Sequence, residues 1–323
     1  MKVENTTFKP QIPIQKFTYN NSKHVKISAK NLHHDTFINN QTLLKTSDKI
    51  NFQGNSIGTN LIINFLKNMC YNRSIKGSKR PYIPIENELK KITKEITIPV
   101  SKTESINALD INPNNYNQYI IFLHGFSHNI TSNQPLYKAL SEKKYGILAI
   151  DYRSYGKNKP SKHIKENDIT NDILASIKYL KNKGIKNLGI IGHSFGGYMS
   201  AKISKLENFN FQILVAPLTS LDFWLRNVLK HPKKYNTESL LIKYIPGFKE
   251  QYKKIFNIKE HLAANKTPTY IVQAQHDRYI RTPEINELTK FIQNLKKYII
   301  IPTGGHRMDD LKIEKISDII EHL

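Results

Sequence analysis

The chain has 323 residues, a formal net charge of +23 and one cysteine, Cys70. This length is sufficient for one large domain with a sizeable core and an extension. A single cysteine excludes an internal disulfide and a metal site built from cysteines. The charge would permit binding to nucleic acid, but the lysines are scattered and no nucleic-acid-binding motif accompanies them. We therefore expect no specific nucleic-acid partner.

The first 84 residues differ in composition from the rest of the chain. They are rich in Asn, Thr, Ser, Lys and Gln, which predicts a partly disordered N-terminal extension, with one helix at residues 57–71 and a linker at residues 73–84. The sequence has no apolar core of the signal-peptide type and no run of about 18 apolar residues. We therefore expect a cytoplasmic protein. The alternative is that the extension is a leader, which delivers the protein out of the cell without a classical signal peptide.

Residues 85–323 have the pattern of one α/β domain. Alternating apolar residues at 96–100 and 106–111 predict an antiparallel pair of strands. Continuous apolar runs then predict strands that helices cover on both faces. These strands are Tyr119–Leu123, Ile147–Ile150, Leu188–Ile191, Phe211–Val215, Tyr270–Val272 and Tyr298–Ile301. The helices between them are Gln134–Lys143, Ile169–Lys183, Phe195–Leu206, Pro283–Leu295 and Met308–Leu323. The expected fold is a mostly parallel, doubly wound α/β sheet.

One long interval breaks this alternation of strands and helices. Residues 218–264 contain apolar and aromatic side chains among many lysines, and they are inserted between two predicted strands. An insertion of this size predicts a helical lid. Phe223 and Trp224 are candidate substrate contacts in the lid, and the competing interpretation is that these rings form the core of the lid itself.

The sequence Gly192-His193-Ser194-Phe195-Gly196-Gly197 joins a predicted strand to a predicted helix. In a nucleophile elbow the serine occupies a strained turn, and a glycine is needed two residues before it and two residues after it because a side chain there would collide. Gly192 and Gly196 occupy these two positions. Ser194 is therefore the candidate nucleophile.

An activated serine needs a histidine base and a carboxylate that orients this base. After an elbow, the acid precedes the histidine along the chain. Asp277 follows the predicted strand Tyr270–Val272, at the carboxyl edge where α/β sheets carry their ligands. His306 follows the last predicted strand. His276 competes as the base because it is adjacent to Asp277, but the order of acid and base favours His306.

The reaction of such a serine also needs N–H donors for the oxyanion. We expect the backbone N–H groups of Phe126 and Phe195 to be these donors, because Phe126 follows a predicted strand and Phe195 follows the serine. Gly125 and Ser127 are alternatives to Phe126. The side chain of Phe126 is also a candidate substrate contact.

Five stretches give the chain from about residue 90 to 323 a resemblance to the α/β-hydrolase superfamily. They are His124-Gly125-Phe126, Asp151-Tyr152-Arg153-Ser154-Tyr155-Gly156, the elbow from Gly192 to Gly197, His276-Asp277 and Gly305-His306. Their spacing is most similar to that of the serine-aminopeptidase-like and monoacylglycerol-lipase-like branch and of acyl-peptidase-like enzymes. The corresponding D-Y-R-G-x-G loop of these enzymes usually has glycine where Ser154 stands here. Residues 1–84 have no close family match.

The resemblance implies a serine hydrolase that cleaves a carboxylic ester through an acyl-enzyme intermediate, with a triad of Ser194, His306 and Asp277. It implies no metal or organic cofactor. A small-molecule or lipid acyl substrate is expected, and the lysines of the lid are compatible with an anionic membrane surface. The sequence does not separate an esterase from a lipase or a thioesterase. The alternatives are an acyl-peptidase or amidase of the same fold, or a binding protein without turnover, including a secreted bacterial effector.

Overall fold

The computed structural model describes residues 80–112, 115–126, 128–161, 164–220 and 256–323. All of them belong to a compact unit of residues 52–323. The helix predicted at residues 57–71 and most of the predicted lid, residues 221–255, lie outside the described residues. Among the described helices, none combines the length and the apolar character that a membrane span requires.

The described residues form a sheet of eight strands. These are β1 Thr93–Pro99, β2 Ser105–Ile111, β3 Gln118–Leu123, β4 Gly146–Ile150, β5 Asn187–His193, β6 Phe211–Val215, β7 Thr269–Ala274 and β8 Leu295–Ile301. Their order across the sheet is β1-β2-β4-β3-β5-β6-β7-β8. β2 pairs antiparallel with both β1 and β4, and all other pairs are parallel. The predicted antiparallel pair and the predicted mostly parallel sheet are confirmed.

Helices cover both faces of this sheet. The described α-helices are α1 Asn87–Lys91, α2 Gln134–Ser141, α3 Glu166–Asn182, α4 Phe195–Ile203, α5 Ile258–Ala263, α6 Thr282–Thr289 and α7 Asp310–Glu321, and a 3-10 helix spans Ile130–Asn133. Ile121 and Leu123 of β3 pack in one apolar cluster with residues of α3 and α4. Ile120 and Phe122 of the same strand pack in a second cluster with residues of α2 and α7. Because successive side chains of a strand point to opposite faces, a sheet covered on both sides needs the continuous apolar runs seen in the sequence.

The predicted helix Pro283–Leu295 is partly wrong. Helix α6 ends at Thr289, and Leu295 instead begins β8, where it pairs with Thr269 of β7. The helix ends in tight turns, in which the N–H of Phe291 donates to the carbonyl of Leu288 (3.0 Å). The apolar residues of this segment have helical spacing beyond Thr289, but pairing with the neighbouring strand decides the conformation of its last residues.

Residues 80–84, which were predicted to end a linker, are hydrogen-bonded to the folded domain. The backbone N–H of Ile83 donates to Thr131 Oγ1 (3.0 Å), and Gln134 Nε2 donates to the carbonyl of Pro84 (3.0 Å). Asn129 Nδ2 donates to the carbonyl of Arg80 (3.3 Å). The side chains of the 3-10 helix and of α2 thus satisfy backbone groups of this segment, which the composition of the segment alone could not indicate.

Candidate active site

The turn between β5 and α4 is a nucleophile elbow. Ser194 precedes the first residue of α4 and has φ 56° and ψ −115°, a backbone conformation that is costly for a residue with a side chain. Its backbone N–H donates to the carbonyl of Val215 (2.9 Å), which ties the elbow to β6. A Cβ at Gly192 would overlap the carbonyl of Gly196, and a Cβ at Gly196 would overlap the carbonyl oxygen of Leu123. Both glycines are therefore needed for the reason that the motif predicts.

The structure brings Ser194, His306 and Asp277 into one hydrogen-bonded chain. His306 Nε2 lies 3.0 Å from Ser194 Oγ, and His306 Nδ1 lies 2.8 Å from Asp277 Oδ2. A carboxylate only accepts hydrogen bonds, so Nδ1 carries the proton of the neutral imidazole and Nε2 accepts from the serine hydroxyl. This arrangement prepares His306 to remove the proton of Ser194.

Asp277 is buried and its carboxylate is held by the backbone of its own loop. Its Oδ1 accepts hydrogen bonds from the N–H groups of Tyr279 (2.8 Å) and Ile280 (2.9 Å), which leaves Oδ2 directed to His306. His276, the competing base, is exposed. Among the described residues, it makes no hydrogen bond with Ser194 or Asp277. The geometry therefore agrees with the order of residues that favours His306.

Two further side chains contact the backbone of the loop that carries His306. His193, which directly precedes the serine, lies with its Nε2 2.7 Å from the carbonyl oxygen of His306. Lys312 of α7 donates from Nζ to the carbonyl oxygen of Gly305 (2.7 Å) and pairs with Asp309 Oδ2 (2.8 Å). The sequence predicted neither contact. His193 was visible as part of the elbow motif, whereas no sequence pattern pointed to Lys312.

The side chains of the two residues with candidate oxyanion donors are in contact. The rings of Phe126 and Phe195 stack with their centroids 4.2 Å apart and an angle of 15° between their planes. Phe195 is the first residue of α4, where backbone N–H groups have no partner within the helix. Among the backbone hydrogen bonds of the described residues, neither Phe126 nor Phe195 is a donor. The assignment of these two N–H groups to an oxyanion stays a prediction.

Buried polar side chains make hydrogen bonds to the backbone of the loop after β3. His124 is fully buried, and its Nδ1 donates to the carbonyl of Gly125 (2.8 Å). The hydroxyl of Tyr152 donates to the carbonyl of His124 (3.0 Å). Three side chains were predicted as substrate contacts. Phe126 lies half-buried beside the elbow, while Phe223 and Trp224 lie outside the described residues. Ser127, an alternative oxyanion donor, also lies outside them.

Two histidines near the triad are held in the neutral form. Burial lowers the pKa of His128 to about 4 and lowers the pKa of His193 well below its usual range. The two imidazoles of His128 and His193 therefore place no positive charge beside His306. In the part of the chain that the structure describes, no group of three or more His, Cys, Asp or Glu side chains is placed to hold a metal ion.

The comparison with known protein families agrees with this geometry. A family model described as the alpha/beta hydrolase fold matches residues 118–223, which include β3, the elbow and the start of α4. The chain belongs to the α/β-hydrolase superfamily. The resemblance seen in the motifs is thereby confirmed for the superfamily. The branch that resembles serine aminopeptidases and monoacylglycerol lipases stays a prediction.

Individual α/β-hydrolase relatives are distant in sequence. A carboxylesterase of Bacillus subtilis (strain 168) is 24% identical over 184 residues, which cover 52% of this chain and 75% of that protein. The human protein ABHD12B is 26% identical over 206 residues, which cover 58% of this chain and 55% of that protein. The structure of an esterase from Pyrococcus furiosus has a TM-score of 0.59 at 19% identity, covering 75% of this chain and 95% of that one. This structural likeness shows the shared fold.

The loop after β4 has a serine, Ser154, where the D-Y-R-G-x-G loop of similar hydrolases usually has glycine. Ser154 has φ 66°, in the left-handed region that favours glycine, and its Oγ accepts a hydrogen bond from the N–H of Ser161 (2.5 Å). Gly156 in the same loop has φ 54°, and a Cβ there would overlap the carboxylate of Asp151. The hydrogen bond to Ser161 thus compensates for a strained backbone at Ser154, a compensation that Gly156 does not need.

We expect Ser154→Gly to be more stable than Ser154→Ala by about 1 kcal/mol, because both variants lose the hydroxyl and only alanine keeps the left-handed strain. Urea unfolding of the two variants measures this difference. An alanine variant as stable as the glycine variant would contradict the assignment of strain to this residue.

Proposed function

We propose that this protein is a serine hydrolase that cleaves a carboxylic ester through a covalent acyl-enzyme. The observation that carries the proposal is the position of His306, which links Ser194 Oγ at 3.0 Å with Asp277 Oδ2 at 2.8 Å. These distances are within the hydrogen-bonding range that a nucleophile and its base need. We assign the backbone N–H groups of Phe126 and Phe195 as donors for the oxyanion, a role supported by the position of Phe195 directly after the serine at the start of α4.

The proposed reaction has two steps. Ser194 Oγ attacks the acyl carbonyl carbon while His306 Nε2 takes the proton, and the negative oxygen accepts hydrogen bonds from the N–H groups of Phe126 and Phe195. His306 then gives this proton to the leaving alcohol, and the acyl group stays on Ser194. In the second step, His306 removes a proton from water, whose oxygen attacks the acyl carbon. The bond between this carbon and Ser194 Oγ then breaks as His306 returns the proton to Oγ, and the carboxylic acid is released. Asp277 stabilises the imidazolium in both steps.

An ester is the substrate class that the comparisons favour over an amide. The Bacillus subtilis relative is named a carboxylesterase, and the solved structure from Pyrococcus furiosus is named an esterase. The half-buried ring of Phe126, which stacks on the buried ring of Phe195, provides an apolar surface near the elbow for the acyl chain. We therefore propose a small-molecule ester with an apolar acyl group as the substrate.

The test combines active-site labelling with turnover of matched substrates. The full chain is incubated with a fluorophosphonate probe, and its hydrolysis of p-nitrophenyl acetate, butyrate and octanoate is compared with that of the corresponding p-nitroanilides. We expect labelling, and faster hydrolysis of the esters than of the anilides, because an amine is a poorer leaving group than the phenol. A protein that is neither labelled nor active on either series would overturn the hydrolase proposal. Preference for the anilides would instead indicate an amidase or peptidase.

A further inference from the structure

We propose that Lys312 and His193 are positioning residues for His306. They would act on the base loop, residues 302–309, by holding the backbone carbonyls of Gly305 and His306. The inference rests on the proposed function, because it assigns the base role to His306. It adds two residues that touch neither the substrate nor the reacting atoms.

Lys312 is a charged residue in a buried position, where a charge is costly unless it is paired. Its side chain is fully buried, 0% exposed, in the first turn of α7. A buried ammonium loses its hydration, and this loss is tolerated only when the group is paired and hydrogen-bonded. Nζ meets both conditions, through Asp309 Oδ2 at 2.8 Å and the carbonyl oxygen of Gly305 at 2.7 Å. An apolar side chain would fill the same space without this cost, but it could not hold the carbonyl.

The second contact comes from the strand that carries the nucleophile. The carbonyl of His306 can only accept, so His193 Nε2 carries a proton and donates to it over 2.7 Å. The carbonyls of Gly305 and His306 are consecutive in the chain. One is held by α7 and the other by the end of β5, so that the base loop is fixed to both elements.

Within the base loop, Met308 packs against the apolar cluster that contains α7, but the residues around His306 are less well covered. Residues 302–304 and Arg307 are exposed. Gly304 has φ 83°, and a Cβ there would lie 2.6 Å from Asp309 Oδ2. An exposed loop of this kind normally moves more than the elements it connects. The two hydrogen bonds therefore supply the fixed point that the 3.0 Å distance from His306 to Ser194 Oγ requires.

The first variant removes the donor of Lys312 and keeps its length. We expect Lys312→Met to lower kcat and the rate of fluorophosphonate labelling by roughly 10- to 100-fold, because displacing a catalytic group by about 1 Å has an effect of this size. KM should change by less than about threefold, since the acyl-binding surface is untouched. The control is Lys315→Met, on the same helix, because Lys315 is partly exposed and pairs only with Glu314 and Asp318.

A pair of variants at His193 tests the second contact independently of Lys312. His193→Gln can keep an Nε2 donor near the carbonyl of His306, whereas His193→Leu cannot. We expect the leucine variant to lose activity as Lys312→Met does, and the glutamine variant to recover most of it. The double variant Lys312→Met/His193→Leu should show a non-additive loss, because both contacts hold the same loop.

The outcomes separate this inference from the proposed function. Thermal unfolding of every variant is measured beside kcat, since a purely structural role would lower the melting temperature and leave kcat of the folded enzyme unchanged. If wild-type turnover depends on Ser194 but Lys312→Met and His193→Leu keep wild-type kcat, the positioning role is wrong and the hydrolase proposal stands. If wild-type turnover does not depend on Ser194, the proposed function is wrong and the positioning role falls with it.

Discussion

Replacing Ser194 by alanine is expected to lower kcat for p-nitrophenyl butyrate by about 10⁴- to 10⁶-fold, while substrate binding changes little. The variant keeps the elbow backbone and loses only the Oγ that lies 3.0 Å from His306 Nε2. Steady-state kinetics and fluorophosphonate labelling measure the loss. Ser101→Ala, in the exposed turn between β1 and β2, is the control serine and should keep wild-type kinetics.

His306→Ala should reduce kcat by a similar factor, and the double variant Ser194→Ala/His306→Ala should be no slower than either single variant. The reason is that nucleophile and base act as one unit, so the loss of one makes the other ineffective. Additive losses in the double variant would mean that the two residues act separately. A Ser194→Ala variant with wild-type turnover would show that another nucleophile is used.

Replacing Gly196 by alanine is expected to have the largest effect on stability, a loss of about 3 kcal/mol or more in the free energy of unfolding. The added Cβ would overlap the carbonyl oxygen of Leu123, a backbone atom at the end of β3 that cannot move without displacing the loop of Phe126. We therefore expect labelling by the fluorophosphonate to be lost as well, because the elbow and the loop of Phe126 would shift together. Urea unfolding measures the stability.

The matched control for this variant is Gly305→Ala. An added Cβ at Gly305 meets no atom within 4 Å, so this variant should unfold within about 0.5 kcal/mol of the wild type. If Gly196→Ala were as stable as Gly305→Ala, the close approach of the elbow to β3 would not be a requirement of the fold. A large loss at Gly305 alone would assign the strain to the base loop instead.

The sequence by itself predicted most of the elements that carry the site. The continuous apolar runs predicted the strands, and the central strands β3, β4, β5 and β6 are buried because helices cover both faces of the sheet there. The edge strand β8 is mostly not buried and leaves Ile300 exposed. The glycines around Ser194 predicted the elbow, because the two close approaches between backbone segments exclude a side chain at Gly192 and Gly196. Both signals are local, since each depends on the chemical nature of residues within one short segment.

The ends of several elements depended on contacts that are distant in the chain. Leu295 has helical spacing with the residues before it, but its pairing with Thr269 places it in β8. The hydrogen bonds of residues 80–84 with the side chains of Thr131 and Gln134 depend in the same way on a segment about 50 residues away. Local spacing contains no information about such partners, so the sequence pattern extended the predicted helix too far.

The candidate site shows the same division between local and tertiary information. The order of Ser194, Asp277 and His306 and their positions after strands could be predicted, because parallel strands end at one edge of the sheet and a triad needs these residue types. The tertiary structure adds support for His306 over His276, because Asp277 Oδ2 and Ser194 Oγ lie within hydrogen-bonding distance of the two ring nitrogens of His306. Only the tertiary structure decided that Lys312 and His193 hold the base loop, because a hydrogen bond to a backbone carbonyl leaves no trace in the residue that accepts it.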